Sequence, residues 1–252
     1  MNRIKAFSER NIKEILRDPL SYIFCLGFPL VMLVIMTLVN ESIPAETGMT
    51  IFRIDNLYGG VAVFGQTFTM LFTAINVSKD RSCAFLVRLY ATPMKTIDFI
   101  GGYIFPAMIL SVMQNIIIAV SSLIISLITG VEINTAGLIL SIIVLIPSAV
   151  LFIGFGLLAG MIFSDKSAPA MSSIIISLGS FLGGIWFDAK STGGVMLKIC
   201  KCLPFYYCTE SVRTTTAMNT DIFSVFIVII CAIVITTLSV VVFRTKMKAD
   251  LS

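Results

Sequence analysis

The side chains that usually carry catalysis are scarce in this chain. It has no histidine, so a catalytic His–Asp pair, a histidine metal site and a histidine pH switch are all excluded. Two of its six cysteines, Cys200 and Cys202, flank Lys201, but a zinc site of this kind would need a second cysteine pair. A disulfide between Cys200 and Cys208 is an option that the spacing alone does not decide. We therefore expect no metal centre and no catalytic residues.

One segment comes close to a nucleotide-binding motif. A phosphate-binding loop reads Gly-x-x-x-x-Gly-Lys-Ser/Thr and lies between a strand and a helix. The segment Gly184–Ser191 has Ala189 in place of the second glycine, and it follows an apolar run instead of a strand. We interpret it as a chance near-match and expect the chain to bind neither ATP nor another cofactor.

The composition indicates a membrane protein. Hydrophobic residues make up 57% of the 252 positions and charged residues 13%, whereas soluble domains carry about 25% charged residues. Several apolar runs exceed about 18 residues, the length of a transmembrane helix. The net charge is only +4 and the basic residues lie beside the apolar runs, which does not indicate nucleic-acid binding. We predict an all-α integral membrane protein whose residues 1–252 form a single transmembrane domain.

Six membrane spans are predicted, the first of them kinked at Pro29. An amphipathic helix over Arg3–Arg17 is expected to lie at the membrane surface before them. Short outer helices are expected in the long segment Asp188–Asp221. The first apolar run has no cleavage site after it and is therefore interpreted as a retained helix. The six spans are Leu20–Val39, Leu57–Ser78, Phe99–Ile128, Gly137–Phe163, Ala168–Phe187 and Ile222–Phe243.

The charges predict the orientation of the chain in the membrane. An even number of spans puts both termini on one side, and most of the eighteen basic residues then fall in the segments on that side. The positive-inside rule places that side, with both termini, in the cytoplasm. Charged residues are nearly absent from the spans, which argues against a proton- or ion-coupled carrier and against a stand-alone channel.

The cytoplasmic segment Lys79–Asp98 has the pattern of an amphipathic helix. Arg81 and Arg88 lie on one part of this helix, and Pro93 ends it. Such a helix can contact a soluble partner through its exposed face. It can equally be a connector that only seals the membrane interface, and the residues leave both alternatives open. Its apolar positions, which recur at helical spacing, are Phe85, Leu86, Leu89 and Tyr90.

Three motifs, in this order and in these topological places, resemble those of type 2 ABC transporter permeases. The six spans, the cytoplasmic termini and the long last outer segment agree with that family over the whole chain. The chain departs from the family pattern at Ser82, Ala84 and Asp188, where the family often has arginine, glycine and proline. The motifs are Asp80-Arg81 followed by Leu89–Pro93, the outer segment Leu203–Tyr207 followed by Glu210 and Arg213, and Gly183–Phe187 at the end of the fifth span.

The resemblance implies a permease subunit of a bacterial cell membrane. Two copies would face each other above two separately encoded ATPases, which would bind the ATP. The implied activity is export of an amphipathic drug, an antimicrobial peptide or a lipid-linked compound, with polysaccharide or glycolipid export as the alternative within the family. Coupling to the ATPase would fall to Glu14, Arg17, Asp80, Arg81, Phe85, Arg88, Leu89, Thr92 and Pro93.

Two spans carry candidate residues for a substrate path. In the second span, three phenylalanines spaced by four residues share a helix face, with an asparagine one turn further on. Such a stripe can stack on an amphipathic substrate. In the fifth span, two serines belong to a face of small residues. Packing against lipid or neighbouring helices is the alternative explanation, and the residue types favour it for both patterns. The candidate path residues are Phe64, Phe68, Phe72, Asn76, Ser177 and Ser180.

Overall fold

The computed structural model describes residues 2–44, 49–83, 85–86 and 94–249. Over these ranges the regular structure is helical and contains no strand, as predicted. The helices are α1 (Asn2–Arg17), α2 (Pro19–Ser42), α3 (Ile54–Ser82), α4 (Thr96–Thr129), α5 (Thr135–Ile162), α6 (Ala168–Leu182), α7 (Ala189–Thr192), α8 (Gly194–Lys201), α9 (Pro204–Thr216) and α10 (Ile222–Ala249).

Five of these helices are long and apolar enough to cross a membrane: α2, α3, α4, α5 and α10. The predicted fifth span corresponds to α6, whose 15 residues give a length of about 22 Å. Its predicted end at Phe187 is wrong, because the helix stops at Leu182 and Gly184 adopts a positive φ of 66°. Glycine tolerates this left-handed backbone, which cannot continue a helix. A sixth crossing by α6 stays a prediction.

The first span is interrupted at the predicted proline. Residues Ile23–Gly27 form a π-helical turn, and the α-helix resumes at Phe28 with Pro29 at its start. Proline has no backbone N–H and cannot donate to the carbonyl of Cys25 four residues earlier. The lost hydrogen bond widens the helix locally into a π-turn instead of breaking it.

The central helix of the bundle is α3. Of its apolar stretch of 18 residues, 83% is buried. Glycines on α5 let the two helices approach closely. A Cβ atom at Gly156 would lie 2.5 Å from the carbonyl oxygen of Met70, and one at Gly160 would lie 2.7 Å from the Cβ atom of Val77. The Gly-x-x-x-Gly pair on the fourth predicted span is therefore a helix-packing face.

The helix α1 is fixed to the bundle through Phe7, which is only 5% exposed. Its ring lies 5.1 Å from the ring of Tyr103 on α4. The absence of a side chain at Gly102 makes room for it, since a Cβ atom there would be 2.1 Å from the Phe7 ring. The predicted helix is thus present, but one of its faces packs on protein.

Short helices occupy the segment Asp188–Asp221, as predicted. The side chain of Asp188 accepts a hydrogen bond from the backbone N–H of Lys190 at 2.9 Å and so caps α7. Cys200 and Cys208 are both buried and both free thiols, so the optional disulfide between them is not formed in the structure.

Candidate coupling site and substrate path

A buried carboxylate lies at the end of α3 that faces α1. Asp80 is 5% exposed, and both of its oxygens accept hydrogen bonds from Arg10 on α1. The Nη1–Oδ2 distance is 2.5 Å and the Nη2–Oδ1 distance is 2.7 Å. The hydroxyl of Tyr103 on α4 donates to the same Oδ2 atom at 2.6 Å. Asp80 therefore joins three helices through charge-assisted hydrogen bonds.

The guanidinium of Arg10 makes further contacts besides those with Asp80. It pairs with Glu14 at 2.8 Å, one turn along α1, and it lies 4.2 Å from the centre of the Phe85 ring, within cation–π range. Burial acts to lower the pKa of Arg10, but the hydrogen bond and the charge of Asp80, with the charge of Glu14, raise it more. The result is a raised pKa and a permanently charged link between α1 and the segment after α3.

The structure describes five of the nine residues proposed for coupling. Asp80 and Arg81 belong to the last turns of α3 itself. Arg81, expected on an exposed helix face, is instead half-buried and donates a hydrogen bond to the carbonyl oxygen of Met161 at the end of α5. Glu14 lies within the Arg10 cluster, and Arg17 is exposed at the end of α1. The other four, Arg88, Leu89, Thr92 and Pro93, lie outside the described residues.

Arg10 is not among the coupling residues predicted from the sequence. Its partnership with Glu14 follows from the spacing of four residues on a helix. Its partnership with Asp80 does not, because the two positions are 70 residues apart and no local pattern connects them.

The three phenylalanines of α3 lie on one face, as predicted, and each is 7–8% exposed. Two rings from α2 cover them, those of Phe24 and Phe28, which are not among the path residues predicted from the sequence. Phe24 stacks on Phe68 with 6.1 Å between centroids, and Phe28 lies 5.3 Å from Phe68. The aromatic ladder, as we call this set, runs from Phe72 through Phe24, Phe68, Phe28 and Phe64 to Trp186.

The other candidate path residues are spread over different surroundings. Asn76 lines a cavity of about 20 Å³ between α1, α3 and α4, together with Phe72 at the end of the ladder. Ser180 is buried at 5% exposure. Ser177 is exposed, and its hydroxyl donates to the backbone carbonyl of Ser173 at 2.9 Å. The structure therefore brings Asn76 to the phenylalanines but leaves Ser177 on the outer face of α6.

The interior of the bundle contains neutral polar groups. Gln66 donates to the carbonyl of Leu145 at 3.0 Å and accepts from Ser148 at 2.6 Å, which ties α3 to α5. Gln114 donates to the carbonyl of Ala62 at 3.1 Å. Among the described residues no group of histidines, cysteines or carboxylates is arranged to hold a metal ion. These polar contacts are helix-to-helix hydrogen bonds of the kind that stabilise membrane bundles.

Comparison with known proteins gives one family. Residues 2–217 match the model of the family described as ABC-2 type transporter. No individual curated protein matched the chain. The matched range contains α1 and every residue of the Asp80 cluster, the aromatic ladder and the short helices as far as α9.

Proposed function

The chain belongs to the ABC-2 type transporter family, and we propose that it is the membrane subunit of an ABC exporter for amphipathic compounds. Membership makes it a multi-pass membrane permease and implies an ABC ATPase as its partner. The observation that carries the proposal is the junction of Arg10 with Asp80 and Phe85. It connects the amphipathic helix α1, the central helix and the segment next to the ATPase into one unit.

Coupling requires a stiff path from the ATPase into the membrane. The bidentate Arg10–Asp80 pair and the hydroxyl of Tyr103 fix the end of α3 to two other helices, and hydrogen-bonded charge pairs of this geometry resist displacement. A push on α1 or on the segment at Phe85 would therefore move α3. In this proposal Arg10 joins the coupling residues predicted from the sequence, while Arg81 fixes α3 to α5.

The aromatic ladder is the proposed route for the substrate. Its rings form a nearly continuous apolar and polarisable row, with neighbouring centroids 5.1 to 6.4 Å apart. Phe24 and Phe28 are its exposed members, and the phenylalanines of α3 lie beneath them. Aromatic faces suit drugs, peptides and lipid-linked compounds that carry both apolar and polar parts. Asn76 would contribute a hydrogen bond near the end that lies closer to Asp80, and Ser180 a hydroxyl on α6.

A second copy of the chain would complete the path. The helix α6 is about 22 Å long, shorter than the roughly 30 Å hydrocarbon core of a bilayer. Short membrane helices are accommodated by thinning of the bilayer or by oligomerisation. Ser173 and Ser177 are exposed on α6, and small hydroxyl side chains favour helix–helix contact over lipid contact. These features support a homodimer that meets at α6.

In this assignment the chain itself catalyses nothing and binds no ATP, metal or cofactor; the partner subunit hydrolyses the ATP. Both termini lie in the cytoplasm of a bacterial cell. The end of the bundle at Asp80 is then cytoplasmic and the short helices α7–α9 are outside.

The experiment that tests the proposal is reconstitution of the chain in liposomes with its partner ABC ATPase. ATP-dependent transport and stimulated ATP hydrolysis with amphipathic drugs support it. Stimulation by a glycolipid or polysaccharide precursor alone would replace the drug assignment. Transport by the permease without any ATPase would overturn the proposal.

A further inference from the structure

A second arginine joins three elements at the opposite end of α3. Arg213 extends from α9 and donates three hydrogen bonds to backbone carbonyls. Its Nε atom lies 3.0 Å from the oxygen of Asn56, its Nη1 atom 2.8 Å from that of Gly184 and its Nη2 atom 3.2 Å from that of Ile185. Asn56 is in the first turn of α3, and the other two carbonyls follow the end of α6.

The neighbouring backbone makes room for this side chain. A Cβ atom at Gly59 would lie 3.1 Å from the Cγ atom of Arg213, and one at Gly60 would lie 3.1 Å from its Nη2 atom. On the α6 side, Gly184 has the positive φ that turns the chain and presents its carbonyl. Two glycines of α3 thus lie tightly against the stem and the guanidinium of Arg213, where a Cβ atom would require the side chain to shift, and the positive φ of Gly184 favours glycine at the turn.

The charge of Arg213 is stabilised by carbonyl dipoles. No carboxylate of the described residues lies within salt-bridge distance of it, and its hydrogen bonds go to three backbone carbonyls. Burial lowers the pKa of Arg213 to about 10, against the opposing effect of Glu210 and Asp188, so the side chain stays charged at neutral pH. Its contacts therefore do not depend on pH in the physiological range.

The two arginine contacts lie at the two ends of one rigid helix. The helix α3 has 29 residues and a length of about 43 Å, and it has no proline within it. Arg10 binds Asp80 near its last turn, and Arg213 binds Asn56 in its first turn. Displacement of one end must therefore appear at the other.

We propose that Arg213 is the positioning residue that transmits movement of α3 to the end of α6 and to α9. This inference rests on the proposed function, in which the ATPase moves the Asp80 end of α3. The residue that follows Ile185 is Trp186, whose ring lies 5.1 Å from that of Phe64, the last phenylalanine of the ladder. Movement passed on by Arg213 would open or close the outer end of the proposed path.

Arginine is required for this role because the several N–H donors of its planar guanidinium bind α3 and the end of α6 at the same time. A lysine offers a point charge on a flexible stem and cannot bridge α3 and the end of α6 in the same way. A purely structural contact would also stabilise the fold. Its loss, however, would not leave one end of α3 responding to the ATPase while the region at the other end no longer responds. That separation is what the experiment measures.

The chain provides a reporter at each end of α3. Trp186 is its single tryptophan and adjoins the Arg213 contact. Cys83 is exposed directly after α3 and accepts an environment-sensitive thiol dye once Cys202, the other exposed cysteine of the described residues, is replaced by serine. The complex with the ATPase is prepared in nanodiscs and trapped with ATP and vanadate. A complex with Trp186→Phe supplies the background emission of the ATPase.

In the Cys202→Ser protein we expect trapping to change both signals. In Arg213→Gln we expect the Cys83 change to persist and the Trp186 change to be lost, with a reduced change in Arg213→Lys. Lys190→Gln is the matched control: it removes a cation from the same outer cavity, where Lys190 pairs with Glu210, and both signals should respond. If Arg213→Gln does not fold, Arg213→Lys decides, because it keeps the charge but lacks the planar guanidinium that bridges α3 and the end of α6.

A normal Trp186 response in folded Arg213→Gln, or in Arg213→Lys, would overturn the inference and leave the proposed function standing. No response at Cys83 in the complex with Arg213 intact would instead overturn the proposed function, because the ATPase would then fail to move α3 at all.

Discussion

Arg10 and Asp80 pair through both nitrogens and both oxygens, at 2.5 and 2.7 Å, although 70 positions separate them in the sequence. The carboxylate is buried, whereas the Arg10 side chain keeps 32% of its surface exposed. The pair therefore lies at the boundary between the bundle and its surface, where a charge interaction is strong and is still reachable by a soluble partner.

The first prediction concerns the strength of this pair. Asp80→Ala leaves the Arg10 charge without its main partner and also removes the acceptor of Tyr103, so we expect a loss of about 1.5–3 kcal/mol in the free energy of unfolding. Arg10→Ala should cost a similar amount. The double variant should lose clearly less than the sum of the two, measured by denaturant unfolding in detergent. Additive losses would show that the two residues do not act as a pair.

The second prediction distinguishes Arg81 from Arg88, which are both predicted from the sequence to be coupling residues. Arg81→Glu should lower both stability and coupling, because it removes the hydrogen bond to Met161 and places a carboxylate against that carbonyl. Arg88→Glu should lower only the transport per ATP hydrolysed, if Arg88 meets the ATPase as the sequence predicts. Thermal unfolding and the transport-to-ATPase ratio are measured for both. Equal stability losses in the two variants would contradict this assignment.

The fold could be predicted from the sequence because the bilayer imposes a simple rule. Long apolar runs must be helical, since no water is present to satisfy the backbone, and five of the predicted spans are helices that meet the length and composition for crossing. The end of the fifth was missed because Ile185, Trp186 and Phe187 are apolar. Their hydropathy continues the span, while the backbone of Gly184 turns away from it.

The site could be predicted only where the pattern is local. The phenylalanine stripe of α3 follows from a spacing of four residues, and its alignment on one face is observed. The rings of Phe24 and Phe28 that cover it, and the partnership of Arg10 with Asp80, depend on how separate helices pack. Such contacts have no signature in a single sequence, because any apolar or charged residue at those positions fits the local pattern equally well.

The third prediction concerns the packing of α3 on α5. In Gly156→Ala the new methyl group would meet the carbonyl of Met70 at 2.5 Å, so the helices must separate. We expect a loss of about 2 kcal/mol in stability. The matched control is Gly179→Ala on α6, where the nearest atom, in the ring of Phe205, lies at an ordinary 3.6 Å. Thermal unfolding in detergent compares the two, and equal stability would contradict the close approach.

The last prediction concerns the aromatic ladder as a substrate route. Phe68→Leu keeps an apolar side chain of similar size but removes the ring that contacts both Phe24 and Phe28. Stacking of this kind contributes about 0.5–1.5 kcal/mol, so transport of a planar aromatic drug should fall by up to about tenfold at limiting concentration. Transport of an aliphatic amphipath should change little, since leucine preserves the apolar surface.

The control for this prediction is Phe152→Leu, which removes a buried ring that stacks on Phe205 outside the ladder. Both substitutions shorten a buried ring to leucine, so a general effect on the fold would appear in both proteins. Initial transport rates of both compounds are measured in liposomes with the ATPase. If the two variants lose the same fraction of drug transport, the ladder serves packing alone and the substrate crosses elsewhere.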